Sequence, residues 1–254
     1  MVFHHEPAPG LPAFAGYSGD LSLLRQLFHT PKEFSFQLCL DFLKRSPREL
    51  LHYLDEDGVI KGLRVGDDVV VFKVSAKSPF LQIDFLTHAS KDSVRQSIKD
   101  YVREWFDLDT DLKPFYLMAE KDKLLRALVS RFYGYRIVGQ PDLFESLVWA
   151  VLGQQINLGF AYTLKQRFVE YFGERLALQA HEYFLFPSPG TVALITPDKL
   201  LSLQFSRQKS QYTIAIAEAF AEGTLSKQKL TGLPLQDAKQ ELMRIRGVGN
   251  WTAN

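Results

Sequence analysis

The fold is decided by the stretch Met243-Arg244-Ile245-Arg246-Gly247-Val248-Gly249-Asn250-Trp251-Thr252-Ala253-Asn254. Two glycines that flank one small apolar residue let the backbone turn through conformations closed to other residues, and they leave consecutive N–H groups uncovered. The preceding residues place an apolar side chain on one helix face at Leu235, Ala238, Leu242 and Ile245. The pattern therefore predicts a helix, a glycine hairpin and the start of a second helix.

Uncovered N–H groups at such a hairpin can bind a phosphate, and the start of the next helix adds donors and the positive end of its dipole. Contacts of this kind hold a nucleic-acid backbone without reading the bases. The residues predicted to bind the backbone are Gly247, Val248, Gly249 and Thr252. Taken alone, the Gly-Val-Gly run is also compatible with a helix C-cap or a tight turn.

Three stretches together resemble the helix-hairpin-helix DNA glycosylase superfamily, in particular its bacterial 3-methyladenine glycosylase II (AlkA) branch. They are the hairpin run, residues 141–157 (PDLFESLVWAVLGQQIN) and residues 205–212 (FSRQKSQY). The resemblance implies an α+β protein, with a TBP-like N-terminal antiparallel sheet and helices followed by an all-helical glycosylase domain. It also implies base-excision repair by a monofunctional DNA glycosylase, which hydrolyses the N-glycosidic bond of alkylated purines such as 3-methyladenine.

The order of local patterns suggests an N-terminal tail over 1–20, an antiparallel α+β domain over 21–113 and a helical domain over 114–254. In the α+β domain, apolar or alternating runs predict strands at 59–65, 69–75 and 80–86, with a helix over 92–106. Residues 34–43 fit either a strand or a helix. The resemblance favours the helix, with a strand placed earlier, near 23–27.

The helical domain is marked by start and stop signals. Asp142 with Glu145 predicts a capping box, and Gly173 and Gly223 are expected helix stops. Ser188-Pro189 and Thr196-Pro197 each pair a capping residue with a first-turn proline.

Composition indicates a protein with an ample core, since 46% of the 254 residues are hydrophobic. The single cysteine, Cys39, excludes an internal disulfide and a four-cysteine metal site within these residues. No signal sequence or long apolar run is present, which favours the cytoplasm, and His4-His5 suits a solvated tail better than a metal site. The resemblance implies a bacterial, nucleoid-associated monomer.

Net charge is +1, but the charges are unevenly divided along the chain. Residues 1–120 hold 14 basic and 18 acidic residues, whereas residues 121–254 hold 16 basic and 11 acidic residues. Double-stranded DNA with damaged purines is the partner that the resemblance implies, and the charge division favours phosphate contacts in the second half.

Extruding a base from a duplex requires a side chain that fills the vacated space. By its position in the resemblance, Gln155 is the wedge, with Ile156 beside it. The branch often has an apolar residue here, so glutamine departs from its pattern. The alternative is that Gln155 is an exposed loop residue that caps the preceding helix.

Trp251 stands where strand-cleaving members of the superfamily have a lysine that forms a Schiff base. The resemblance therefore implies hydrolysis without lyase activity through this residue. An aromatic side chain here would also line the base pocket and attract a cationic alkylated purine. The alternative is that Trp251 packs under the hairpin, and both roles are compatible.

The branch's catalytic carboxylate, an aspartate, follows the second hairpin helix and therefore lies beyond Asn254. Asp198, Asp237 and Glu241 do not match its position, so no catalytic residue is assigned. We expect residues 1–254 alone to lack base-excision activity. A non-catalytic DNA-binding protein and a protein interaction module are the alternatives.

The resemblance also implies a monovalent cation, Na⁺ or K⁺, at the hairpin. Its expected ligands are the backbone carbonyls of Met243, Ile245 and Gly247. No other cofactor is expected.

Overall fold

The computed structural model describes residues 25–89, 91–178 and 181–253. The tail with His4 and His5, and Asn254, lie outside the described residues. Contacts divide the chain into two compact units: unit 1 runs to Arg45 and from His52 to Gly139, and unit 2 comprises Ser46–Leu51 and the residues from Gln140 onward. The domain boundary at 113/114 stays a prediction, because contact clusters and domains need not coincide. No described helix is long and apolar enough to cross a membrane.

Unit 1 contains a five-stranded antiparallel sheet with the strand order β1-β5-β4-β3-β2. Its strands are β1 (Arg25–His29), β2 (Tyr53–Leu54), β3 (Gly58–Val65), β4 (Asp68–Lys77) and β5 (Phe80–Phe85). Its helices are α1 (Phe36–Leu43), α2 (Asp92–Trp105), α3 (Lys113–Ala119) and α4 (Lys123–Arg131). The predicted meander and the helix after it are confirmed.

The sheet forms because its strands alternate apolar side chains toward one core. Val70, Phe72 and Val74 follow each other at every second position of β4 and all enter that core. Gly66 has φ +60 in the tight turn between β3 and β4, a conformation that favours glycine. Helix α2 brings Ile98 into the same core.

The ambiguous segment 34–43 is helix α1, as the resemblance favoured. The Ser35 hydroxyl caps it by accepting a hydrogen bond from the Leu38 N–H (3.5 Å). Its buried residues lie at helical spacing: Phe36, Cys39, Leu40 and Leu43. The strand expected near 23–27 is β1, which begins at Arg25.

Unit 2 consists of helices and one two-stranded sheet. In chain order its elements are α5 (Leu143–Gly153), α6 (Leu158–Phe172), β6 (Glu174–Leu178), β7 (His181–Leu185), α7 (Pro189–Ala193), α8 (Pro197–Ser202), α9 (Arg207–Ala221), α10 (Lys227–Thr231) and α11 (Leu235–Met243). The expectation of purely helical structure in this half misses the β6–β7 hairpin. It forms because the extended backbone of Gly173 ends α6, and Tyr183 and Leu185 then alternate into the interior.

Helix α5 is the centre of unit 2, with Val148, Val151 and Leu152 fully buried. At its start, the Asp142 carboxylate accepts a hydrogen bond from the Glu145 N–H (2.7 Å), which confirms the Asp142 half of the predicted capping box. The Glu145 carboxylate forms a buried ion pair with the Lys165 ammonium of α6 (3.0 Å). Lys165 also pairs with Glu49 at 3.0 Å, which attaches the segment Ser46–Leu51 to this unit.

Candidate nucleic-acid interface

The glycine hairpin follows α11 and is anchored by one apolar side chain. Val248 is only 4% exposed and packs in the core of unit 2, and its N–H donates to the Ile245 carbonyl (3.0 Å). Gly249 lies at the surface, where an added Cβ would meet no described atom within 4 Å. The side chain of Val248 thus fixes the bend from inside, while Gly249 presents bare backbone to solvent.

The hairpin amides fall into two sets. The Val248 and Thr252 N–H groups are engaged within the hairpin, the latter with the Gly249 carbonyl (3.0 Å). Across the described part of the chain, the N–H groups of Gly247, Gly249 and Trp251 have no hydrogen-bond acceptor. An anion would therefore displace no hydrogen bond at these three amides, and the predicted contributions of Val248 and Thr252 would have to come from other atoms, such as the Thr252 hydroxyl.

Two arginines, Arg244 and Arg246, lie in the last residues before the hairpin. Arg244 caps α11 and forms an ion pair with Glu241 at 2.5 Å. Arg246 is exposed and makes no ion pair with any described residue. Its charge lies one residue before the uncovered Gly247 amide, so the local field favours an anion at the bend.

The loop that joins α5 to α6 holds the predicted wedge. We call residues 154–157 the wedge loop. Gln155 is exposed and has φ +56, a left-handed conformation that costs free energy in a residue with a side chain. Ile156 is half-buried against the core of unit 2, so Gln155 is the residue of the pair whose side chain is available to a ligand.

A helix cap fixes the C-terminal end of the wedge loop. The Asn157 side chain caps α6 by accepting a hydrogen bond from the Phe160 N–H (2.8 Å). At the first end, α5 stops at Gly153, and the C-cap residue Gln154 has an extended conformation. Only four residues separate the two helices, so the loop has little room to change shape.

A hydrogen bond joins the wedge loop to the hairpin. The Gln154 side-chain amide donates to the Gly247 carbonyl (3.0 Å). Tyr212 of α9 packs against the same glycine, because a Cβ added to Gly247 would lie 2.3 Å from the Tyr212 Cγ. The sequence pattern does not mark Gln154 or Tyr212 individually as a site residue, and only their contacts in the structure identify them.

Trp251 projects from the hairpin and is 86% exposed. The alternative in which it simply packs under the hairpin is therefore wrong for these residues. Its ring is free to contact a ligand, although the pocket role stays a prediction.

The predicted cation ligands Met243, Ile245 and Gly247 all lie at the end of α11 or in the hairpin. The carbonyls of Ile245 and Gly247 each already accept one hydrogen bond, from Val248 and Gln154. A carbonyl oxygen has two lone pairs, so these bonds do not exclude a monovalent ion. Elsewhere in the described residues, no group of three or more His, Cys, Asp or Glu side chains could hold a metal.

The three carboxylates considered from sequence have ordinary surroundings. Asp198 and Asp237 are exposed in the first turns of α8 and α11, where negative charge is favourable. Glu241 pairs with Arg244. None is assigned a catalytic role.

Two family descriptions match the chain in succession. Residues 31–147 match the 8-oxoguanine DNA glycosylase N-terminal domain. Residues 148–249, which include the wedge loop and the hairpin, match the HhH-GPD superfamily of base excision DNA repair proteins.

Among curated proteins, the chain is 40% identical over 227 residues to a DNA-3-methyladenine glycosylase of Bacillus subtilis, covering 88% of this chain and 75% of that protein. It is 36% identical over 121 residues to DNA-3-methyladenine glycosylase 2 of Escherichia coli, covering 48% of this chain and 42% of that protein.

Among solved structures, a 3-methyladenine DNA glycosylase from Archaeoglobus fulgidus has a TM-score of 0.75 at 19% identity, covering 90% of this chain and 77% of that one. At this level of identity the likeness shows the fold alone. It confirms the α+β architecture with an N-terminal sheet and a helical second part.

Proposed function

Since the chain belongs to the HhH-GPD superfamily of base excision DNA repair proteins and to its DNA-3-methyladenine glycosylase group, we propose that unit 2 holds damaged duplex DNA and extrudes an alkylated purine. The proposed reaction is hydrolysis of the N-glycosidic bond. The 40% identity to the Bacillus subtilis DNA-3-methyladenine glycosylase supports this substrate class.

The observation that carries the proposal is the set of uncovered amides at the hairpin. Gly247, Gly249 and Trp251 present N–H groups with no acceptor in the described residues, and Arg246 adds an unpaired cation beside them. A phosphate oxygen accepts hydrogen bonds from such amides independently of base sequence. The hairpin therefore binds the DNA backbone, and recognition of the damaged base has to come from other residues.

In this proposal Gln155 fills the space that the extruded base leaves. It is exposed, sits at the tip of a four-residue loop and is connected through Gln154 to the hairpin. The hairpin that binds the backbone and the side chain that enters the duplex would then lie at a fixed distance from each other. That arrangement suits base extrusion, which needs both contacts at the same time.

Trp251 supports hydrolysis over lyase chemistry. An indole cannot form a Schiff base, so strand cleavage through this position is excluded. Its exposed ring has the electron-rich face that attracts a cationic alkylated base more strongly than a neutral one. Alkylated purines with a positive charge are therefore the preferred substrate class.

The alternative function is a non-catalytic helix-hairpin-helix DNA-binding protein. It differs from a glycosylase in selectivity, because the hairpin alone does not distinguish damaged from intact duplex.

The test compares affinity for an intact duplex, a duplex with a tetrahydrofuran abasic analogue and a duplex with methylated purines, over a series of salt concentrations. We expect preference for the modified duplexes and weaker binding as salt rises. Equal affinity for all three duplexes would favour the non-catalytic alternative. No binding at low salt would leave only a protein interaction module.

A charge variant assigns the binding to the hairpin. Gly249→Asp places a carboxylate in open space next to the uncovered amides, while Gly190→Asp adds the same charge at an exposed position in α7. Gly249→Asp should weaken binding by about tenfold or more, because it repels the phosphate, and Gly190→Asp should not. Equal effects of the two changes would show that the hairpin is not the contact.

A further inference from the structure

A buried lysine lies directly behind the wedge loop. Lys209 of α9 is 8% exposed. Its ammonium donates to the carbonyls of Val151 (2.7 Å), Leu152 (2.9 Å) and Gln154 (2.8 Å). An ammonium has three donors, and here all three bind the last carbonyls of α5 and the first residue of the wedge loop.

This cation has no partner carboxylate among the described residues. Burial lowers the pKa of Lys209, since the charged form loses hydration. What compensates is the negative end of the α5 dipole and three carbonyl oxygens, of which the Val151 oxygen also accepts the Gln154 N–H (3.3 Å). Burying a charged lysine without a carboxylate costs free energy, and we expect such a lysine where the backbone that it contacts must keep one conformation.

The same helix supports the hairpin one turn later. Tyr212 packs against Gly247 so closely that no side chain fits there. Gln154 completes the connection, because its carbonyl accepts from Lys209 while its side-chain amide donates to the Gly247 carbonyl. One face of α9 therefore fixes both elements that would contact DNA.

We propose that Lys209 and Gln154 form a loop brace that holds Gln155 at a set position relative to the hairpin before DNA binds. This proposal rests on the function proposed above. Lys209 is a positioning residue, not a catalytic one, since it contacts only backbone of its own chain. The brace acts on the extrusion step and leaves the phosphate contacts of the hairpin unchanged.

The left-handed conformation of Gln155 agrees with this role. A non-glycine residue keeps φ +56 only when its surroundings define the backbone on both sides. Lys209 defines the side before it, through Gln154, and the Asn157 cap defines the side after it. Without the brace, the loop would be free to relax into a more favourable conformation, and insertion would require reordering it.

The test uses Lys209→Met and Gln154→Met, which keep similar side-chain length and remove the donors. Lys227→Met is the matched control, because Lys227 also donates to a backbone carbonyl of unit 2, that of Pro141 (2.8 Å), before the start of α5. Two quantities are measured with the full chain: affinity for an intact duplex, and the fluorescence rise of 2-aminopurine placed next to a tetrahydrofuran site, which reports unstacking.

We expect both brace variants to keep affinity for intact duplex and to lose unstacking. The loss should be about tenfold or more for Lys209→Met, the scale of one charge-assisted hydrogen bond, and about fivefold for Gln154→Met, the scale of one neutral hydrogen bond. Lys227→Met should match the wild-type protein in both measurements. If Lys209 only stabilised the fold, Lys209→Met would lower affinity for intact duplex, unstacking and thermal stability together. If Lys209→Met does not fold, Gln154→Met tests the brace instead. The Gln154 side chain is only half-buried in the loop, so its replacement should leave the protein folded.

The outcomes separate the two proposals. If the wild-type chain neither binds nor unstacks the modified duplex, the proposed function fails. If the wild-type chain unstacks the duplex and the folded brace variants do so equally well, the function stands and the brace is refuted.

Discussion

The substitution Gly247→Ala tests how tightly the hairpin is built into unit 2. A Cβ at this position would lie 2.3 Å from Cγ, 2.4 Å from Cδ2 and 2.7 Å from Cβ of Tyr212. These atoms are at the root of the tyrosine side chain, so they cannot move away without moving α9. The backbone has φ +96, which also disfavours alanine. Strain contributes about 1–3 kcal/mol and overpacking about 1–3 kcal/mol, so unit 2 should lose at least about 2 kcal/mol.

Gly249→Ala is the matched control, since its new methyl group enters open space at an ordinary φ. Its stability should stay within about 0.5 kcal/mol of the wild-type protein. Urea denaturation followed by circular dichroism measures both variants, and hydrogen exchange of the Val248 amide reports local opening of the hairpin. If Gly247→Ala is as stable as Gly249→Ala, and protects the Val248 amide equally, the close packing of Tyr212 on the hairpin is refuted.

Further predictions concern the buried ion pair, the chemistry and the salt dependence. Lys165→Met leaves the Glu145 and Glu49 carboxylates buried without their cation and should cost about 3–5 kcal/mol in thermal unfolding; an unchanged melting temperature would contradict this. Burial alone lowers the pKa of Lys165, but the charges of Glu145 and Glu49 raise it above the ordinary value. Stability from this pair is therefore complete below the unfolded-state pKa and should fall as strongly alkaline pH passes the folded-state pKa, which a pH series of melting curves would show. Borohydride should trap no covalent adduct with abasic DNA through Trp251, and an adduct at that residue would refute hydrolytic chemistry. The slope of log affinity against log salt should be shallow, because few phosphates contact one hairpin, and a steep slope would require a larger basic surface.

Local signals were sufficient to predict much of the fold. Asp142 and Ser188 cap helices as predicted, because each side-chain oxygen accepts from the N–H three residues ahead, which depends only on nearby sequence, whereas Thr196 makes no side-chain cap hydrogen bond. Gly173 and Gly223 mark the ends of α6 and α9 for equally local reasons. Apolar or alternating runs predicted β3, β4 and β5 of the unit 1 sheet, whereas β2 was not predicted.

Features that depend on distant partners were missed or misjudged. The β6–β7 hairpin lacks a glycine or proline turn between its strands, so only the alternation of Tyr183 and Leu185 indicated it. Leu235 was expected on the buried face of α11 but is 79% exposed, whereas Leu242 and Ile245 pack against the core. Helical periodicity identifies the apolar face of a helix. It does not show over what length of the helix other residues bury that face.

The site divides in the same way. Glycine chemistry predicted the hairpin, and the structure shows which of its amides are uncovered. Lys209 lay within a quoted motif, but a lysine in a helix ordinarily points to solvent, and its role depends on carbonyls more than fifty residues earlier in the chain. Its location behind the wedge loop could not be deduced from spacing.

The proposed function requires that the hairpin amides bind one point on a DNA backbone. The decisive experiment replaces single phosphates of a tetrahydrofuran-containing duplex by neutral methylphosphonates, one position at a time. We expect affinity to fall sharply at one or two adjacent positions near the lesion, and this dependence to disappear in Gly249→Asp. A uniform small loss at every position, the same in both proteins, would refute binding of one phosphate by the hairpin.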